Sequence, residues 1–453
     1  MTLDNFRLAF KKAKKGRSTN QHVKKILGRR RPGESKEQFK ERRKKRIDRY
    51  MRWLMRLVDS GRYTTSEYET RVIKDPKERT LYILPLWPDR IVQHAMVNVL
   101  QPIWDKLLIH HTYACRINKG QHKCSAAISY GVKHYKYCGL TDIRKFYPSI
   151  SHDVMYNVVQ KKIKDKKMLE LLKDVIYSID GDTNVPIGNL LSQHLGNLLL
   201  NELDQFTAHK LKVKLAPRYM DNKAYFSNDL QKLKSDLDRV EEFLKEKLKL
   251  RLSQKEIRRC CDGIEFIGYR HFPDHTLLKK RTAKRFKKKI KKLPGKLKKK
   301  TITLVNYTSA LASLSGWAGH ADAYNFRQST GLDRMLENAQ KQIKEVKMRG
   351  FPKYTDISTK NDVENLKALF PKETKAFLEV LKDDRFIWID KGLVTDEGVT
   401  DSTHRVDNVQ VTDANGEVST EKHQFELIED SNARIFRMGY TVNQVEEIIE
   451  KLS

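Results

Sequence analysis

Zinc-type cysteine spacing is missing from this chain. The five cysteines (Cys115, Cys124, Cys138, Cys260 and Cys261) form no CxxC pair and have no companion histidines at ligand spacing. An odd count argues against a disulfide framework and suits a reducing compartment, so they are expected to be small core residues. Long apolar runs are also missing. None approaches the ~18 residues of a membrane span, and the opening stretch MTLDNFRLAFKKAKKGR has no signal-peptide h-region. A soluble, non-secreted, cytoplasmic protein is expected. Negative charge is scarce as well: 57 Asp and Glu face 90 Lys and Arg, a formal net charge of +33. A folded body tolerates such self-repulsion poorly unless a polyanion neutralises it, which makes nucleic acid the leading partner.

What is present is long enough for about two to four domains with buried cores. The charge is unevenly spread. Residues 354–453 hold 12 Lys and Arg against 21 Asp and Glu, a net of −9, so residues 1–353, with 78 against 36, carry +42. Two basic clusters dominate, one across residues 11–49 and one across 279–300, where 14 of 22 residues are Lys or Arg. Placed on helical turns, the second cluster gives a cationic face that can follow phosphates.

Between the clusters the hydrophobic pattern alternates between strand and helix. YCGLTDI (137–143) has the pattern of a short buried strand, 153–179 of one or two helices, and 187–209 of a helix starting after Pro186 and Gly188. A strand, the turn RYMDN and another strand follow. Then comes an amphipathic helix with Leu230, Leu233, Leu237, Val240, Leu244 and Leu248 on one stripe. This is the order of a split βαβ, ferredoxin-like unit. Past residue 330, MLENAQKQIKEVK has a helical pattern, GFPKYTD that of a linker, and NDVENLKALFPKETKAFLEVLK that of two short helices. RFIWID, RVDNVQV and HQFELI look like strands, the last two joined through Asn415-Gly416, a hairpin signal. TVNQVEEIIEKL closes the chain as a helix with a Thr441 and Gln444 capping box.

Template-directed polymerases need carboxylates on neighbouring strands to hold two divalent metals. LTDIRKFYPSI supplies Asp142 and RYMDN supplies Asp221, 79 residues later. Residues 60–330 resemble a reverse transcriptase through an ordered motif series. LTDIRKFYPSI resembles motif A, IGNLLSQHLGNLLLNELDQF motif B, RYMDN motif C, LRLSQKE motif D and IEFIGYRHF the primer-grip motif E. LPLWPDRIVQHAMVNVLQPIWDKLLIHHTYACRINKGQH resembles the fingers motifs. Ile187-Gly188 followed by Ser192-Gln193, with IVQHAMVNVL, YACRINKGQH and LSGWAGHADAYNFR, is similar to the reverse transcriptases of diversity-generating retroelements. That family copies a template-repeat RNA into cDNA with frequent errors opposite adenine.

The resemblance implies an α+β, right-hand polymerase with a ferredoxin-like palm, helical fingers and a basic helical thumb, plus a small C-terminal α+β domain. The expected boundaries are a basic arm at 1–58, fingers and palm at 59–275, thumb at 276–350 and an acidic domain at 354–453. It also implies roles. Asp142 and Asp221, with the Ile143 carbonyl, would hold two Mg²⁺ (or Mn²⁺). Tyr147 occupies the steric-gate position, and Arg116 would meet the incoming triphosphate. Ile187, Gly188 and Gln193 would line the nucleotide, Lys255 would protonate or neutralise the leaving pyrophosphate, and Gly268 would sit in the primer grip. Asn222 replaces the usual second Asp of motif C. It is compatible with a tolerated substitution, with an alteration that traps a complex, or with a binding relative that has lost catalysis. Lys223 is also unusual, since the strand after this turn is normally apolar.

The implied activity is copying of a dedicated structured non-coding RNA into cDNA from deoxynucleotides, by a bacterial or phage-encoded ribonucleoprotein. An antiphage defence reverse transcriptase and a catalytically silent RNA-binding scaffold are the alternatives. The acidic segment would recruit an accessory protein, hold the basic body in an oligomer, or shield the cleft, through an electrostatic dock within or between subunits.

Overall fold

The computed structural model describes residues 1–17, 19–74, 78–349, 368–369, 386–393, 404–412 and 418–429. The chain divides into two compact units, 1–277 and 278–453.

The first unit opens with three helices, α1 (Leu3–Ala13), α2 (Gln21–Leu27) and α3 (Lys36–Asp59). Each begins where a polar side chain satisfies free backbone N–H groups. Thr2, Asn20 and Ser35 are the caps, and Ser35 forms a full capping box with Gln38. The antiparallel pair β1 (Glu69–Ile73) and β2 (Arg79–Ile83) follows, then α4 (Ile91–Leu107) and α5 (Gln121–His134).

The central sheet comes next. Its strands are β3 (Tyr137–Ile143), β4 (Arg218–Tyr219), β5 (Asn222–Ser227) and β6 (Leu252–Arg259), in the order β4-β5-β3-β6, all antiparallel. Four helices lie between β3 and β4: α6 (Phe146–Ser149), α7 (His152–Lys162), α8 (Lys166–Ile176) and α9 (Leu190–Gln205). A further helix, α10 (Leu230–Lys247), links β5 to β6. This is split βαβ connectivity, as the hydrophobic pattern leads one to expect. The Leu233, Leu237, Val240 and Leu244 stripe of α10 is buried. It lies close to the sheet because β3 has Gly139, where a Cβ would stand 2.9 Å from Leu237. Residues alternate faces along a strand. Tyr225 accordingly joins the core formed with α9 and α10, while Cys138, Leu140, Ala224 and Phe226 join a second core with Cys124 and Ile128 of α5.

Beyond β6, β7 (Ile264–Phe266) and β8 (Tyr269–His271) make a tight hairpin, and β9 (Thr276–Leu278) follows. The second unit contains α11 (Lys280–Lys298), α12 (Leu304–Ala318), α13 (Tyr324–Thr330) and α14 (Leu332–Arg349). In α11, Phe286, Ile290 and Leu293 are buried at helical spacing, which leaves its lysines on the other face. The strands read from RVDNVQV and HQFELI fall within β11 (His404–Thr412) and β12 (Val418–Glu429), and FIWID of the third falls within β10 (Phe386–Leu393), a sheet of order β10-β12-β11. The linker, the Asn415-Gly416 turn, most of the paired short helices and the C-terminal helix lie outside the described residues. No described helix is long and apolar enough to cross a membrane.

Of the cysteines, Cys124, Cys138 and Cys260 are buried as expected. Cys261 is exposed and Cys115 only half-buried. A position beside the Met220 turn, not the core, claims Cys115: its Sγ lies 3.4 Å from Gln193 Oε1 and 3.9 Å from Met220 Sδ.

A candidate polymerase active site

The sheet brings Asp142 and Asp221 together. Asp142 stands near the end of β3, and Asp221 is the second residue of the two-residue turn joining β4 to β5, where Tyr219 pairs with Asn222. The turn's first residue, Met220, has φ +55°. Positive φ at that position twists the hairpin in the direction that flanking strands favour, at a steric cost for a non-glycine residue.

Asp221 is largely buried, and its carboxyl is raised above the usual carboxylate range first by burial and then by the negative charge of Asp142. Two observations show what holds these carboxylates. Ser253 of β6 donates its hydroxyl to Asp142 Oδ2 at 2.6 Å, and Asn222 donates Nδ2 to Asp221 Oδ1 at 3.2 Å. The amide at position 222 therefore acts on Asp221 directly, favouring its charged form.

Behind the turn lies a buried ionic cluster. Arg218 meets Asp204 of α9 at 2.7 Å, and Lys223 meets the same carboxylate at 2.8 Å, with all three side chains no more than 1% exposed. Thr112 and Thr207 complete the polar shell. Arg218 also donates to Asn197 Oδ1 and to the Met220 carbonyl, at 3.1 and 2.9 Å, which ties the cluster to the turn. Burial alone would push Asp204 up, but the two cations overcome it and hold the carboxyl at about 2. Burial pushes the Lys223 ammonium below its ordinary value against the pull of Asp204. The unusual lysine after the turn is thus a partner of Asp204, about three helical turns beyond the motif B residues Ser192-Gln193 on the same helix and reached only through the fold.

Tyr147, in α6, packs its ring near Gly196 of α9, where a Cβ would stand 3.4 Å away. Its hydroxyl is buried without a hydrogen-bond partner, and burial, Cys115 and Asp221 push its pKa up. Ile187 and Gly188 meet β2: the Tyr82 N–H donates to the Ile187 carbonyl at 2.7 Å. Gly188 has φ +114°, and a Cβ there would stand 2.9 Å from the Tyr82 carbonyl, so only glycine fits this approach. Gly268, with Ile267, forms the β7–β8 turn, both at positive φ, the signature of a type I′ hairpin.

Two expected side chains are engaged elsewhere. Arg116 does not present its guanidinium to the hairpin. It donates to the carbonyls of Ile109, Thr112 and Asp105 and pairs with the Asp105 carboxylate at 3.4 Å, sealing the C-terminal end of α4. Lys255 pairs across the sheet with Thr141, whereas Asp142 pairs with Gln254, so Lys255 and Asp142 point to opposite faces. Lys255 bonds Asp238 at 2.7 Å and Glu241 on α10, and those hydrogen bonds raise its pKa, making it a poorer proton donor.

Sequence reasoning missed Ser253, Arg79 and the Asp204 cluster. Arg79 of β2 is exposed, and its positive charge favours the ionised forms of both Asp221 and Tyr147. No local signal singles it out in a chain with 90 Lys and Arg.

The donor set fits a hard divalent cation. Two carboxylates on neighbouring strands, whose direct side-chain partners are a hydroxyl and an amide, are what Mg²⁺ takes when substrate phosphates and water complete its shell. Among the described residues, no group of three or more His, Cys, Asp or Glu side chains forms a metal-holding cluster.

Residues 73–271 match the family model described as reverse transcriptase (RNA-dependent DNA polymerase). Over 173 residues the chain is 27% identical to Protein YkfC of Escherichia coli K12, covering 34% of this chain and 42% of that protein. Over 201 residues it is 23% identical to the group II intron-encoded protein LtrA of Lactococcus lactis subsp. cremoris, covering 41% of this chain and 33% of that protein. The chain thus spans less than half the length of these curated relatives. An apo telomerase from Candida tropicalis gives a TM-score of 0.37 at 11% identity, over 49% of this chain and 58% of that one, a likeness too low to build on. Asp142 and Asp221 both lie inside the span, residues 73–271, that matches the reverse transcriptase (RNA-dependent DNA polymerase) family.

Proposed function

We propose that this chain copies RNA into DNA, with Asp142 and Asp221 at the reacting centre. The observation that carries this reading is the placement of those two carboxylates on neighbouring strands of one sheet, Asp142 near the end of β3 and Asp221 in the turn that leads into β5, which is hydrogen-bonded to β3. The reaction joins the primer 3′ oxygen to the α-phosphorus of a deoxynucleotide, and pyrophosphate leaves. Divalent metal held by Asp142, Asp221 and the Ile143 carbonyl would supply charge stabilisation there.

The chain's own residues do the rest. Ser253 holds one Asp142 oxygen and leaves the other for a ligand, and Asn222 holds one Asp221 oxygen in the same way. The Arg218–Asp204–Lys223 cluster keeps the Met220 carbonyl, and with it the turn, from shifting. Arg79 is an exposed cation whose field reaches this centre, and in this reading it is the candidate for the triphosphate role expected of Arg116. Tyr147 presents a rigid ring beside Asp221, where it would exclude a ribose 2′-hydroxyl.

Palm and fingers correspond in this reading to the first unit and a basic thumb to α11–α14. The finer assignment is error-prone copying of a dedicated structured RNA, as in diversity-generating retroelements. Its support is the Ile187-Gly188 and Ser192-Gln193 pattern. An aliphatic Ile187 beside the nascent pair removes a polar contact that would otherwise help reject mispairs.

Primer extension on RNA by the full chain, with deoxynucleotides and Mg²⁺, tests the activity. Incorporation that disappears in Asp142→Ala supports it, and incorporation that persists there refutes the assignment. Sequencing the products of wild type and Ile187→Gln tests the finer claim: equal error opposite adenine would remove it.

A further inference from the structure

Helix α3 carries ten Lys and Arg against four Asp and Glu, far from any role in the carboxylate site. One of the four acids, Asp48, is held by Arg7 at 2.5 Å. Along one stripe of the helix Arg46, Arg49, Tyr50 and Trp53 follow at intervals of three and four residues, and with Trp87 they line a cavity of about 380 Å³. Trp53 is 53% exposed and stacks on Trp87 with ring centroids 5.5 Å apart and planes inclined by 30°. Tyr50 closes the other side edge-on to Trp87 at 5.3 Å. Arg46 lies 5.8 Å from the Tyr50 ring and is fixed there by donating to the Lys25 carbonyl. Arg49 is exposed and, among the described residues, has no ion pair.

We infer that this cavity is a second nucleic-acid site, which takes an unpaired base of single-stranded RNA between its aromatic rings and arginines. Open indole faces beside guanidinium groups are the chemistry that holds single strands: every base has a face to stack, and the adjoining phosphates meet the cations. A bilayer is a poorer fit. Of the apolar residues of α3, Met51, Leu54 and Val58 are in the core at 0, 0 and 6% exposure, and Ile47, Met55 and Leu57 are half-buried against it. The lining of the cavity is planar and cationic, which matches a base and its phosphate rather than an acyl chain. The inference stands on α3 and Trp87 alone and does not depend on catalysis.

The test uses the full chain and a fluorescein-labelled oligo(U) RNA, with anisotropy read at fixed salt. A matching abasic oligomer keeps the phosphates and lacks the bases. Trp53→Ala is expected to weaken oligo(U) binding about fivefold or more, the lower end of base–aromatic stacking. Trp53→Phe should retain most of the affinity, and the abasic oligomer should bind wild type and Trp53→Ala alike. A 4-thiouridine version should crosslink to the peptide containing Trp53. Equal oligo(U) affinities for wild type and Trp53→Ala would overturn the inference. Loss of poly-glutamate binding in Trp53→Ala, with oligo(U) binding intact, would also overturn it and assign the patch to an acidic protein segment.

Discussion

Asp221 is the residue whose chemistry is most constrained. In the absence of metal its charge is opposed by burial and by Asp142, so the folded state holds a proton on it more tightly than the unfolded chain does. A raised carboxyl pKa contributes stability that is fully present below the unfolded pKa of about 3.9 and is lost as pH rises through the folded value. Asp221→Asn removes that conflict. The variant should melt above wild type at pH 7 without metal, by roughly 2 to 4 °C for a change of ~1 kcal/mol in a large domain. The difference should vanish near pH 3, and incorporation should be lost. A lower melting temperature at pH 7 would mean that the two carboxylates do not repel. Asn222→Asp adds a carboxylate and removes the Nδ2 donor, so half-maximal incorporation should require less Mg²⁺ than in wild type. A higher requirement would mean that orienting Asp221 outweighs the added charge.

At the scale of elements, the turn is only as rigid as what lies behind it. Asp204→Asn leaves Arg218 and Lys223 buried without a counter-charge and should cost about 3 to 5 kcal/mol in urea unfolding. Lys223→Met leaves the Arg218–Asp204 pair intact and should stay within ~1 kcal/mol of wild type, since hydrophobic replacement of a buried ion is often neutral. Equal losses in both variants would mean that Lys223, not Arg218, is the partner on which Asp204 depends. Much of this level was legible beforehand. Strand 137–143, the helical character of 153–179 and the α10 stripe all follow from periodicity, because one buried face imposes its period on the sequence, whereas the division of that stretch into α7 and α8 is the structure's. The partner of Lys223 was not legible. Asp204 lies 19 residues away and on another element, and nothing in LNELDQF marks it as an ion-pair acceptor.

For the whole molecule the governing quantity is charge. A body of +42 should bind RNA in proportion to the phosphates it neutralises, so log K should fall linearly with log salt, by about 0.7 for each phosphate on a single strand. Asp142→Ala should bind with the same salt slope as wild type while failing to extend a primer. A changed slope would place Asp142 in RNA binding and not at the reacting centre.

Motif order, the two candidate aspartates, the helix stripes and the imbalance of charge were determined by the sequence alone, since each depends on residue type and local spacing. The tertiary structure decided which charged groups remain available. Register alone placed Lys255 on the face opposite Asp142, because a shift of one residue along a strand reverses the side to which a side chain points. Arg116 is occupied by carbonyls of the α4 end and Arg79 is not, a difference between two arginines that only the path of the folded chain creates.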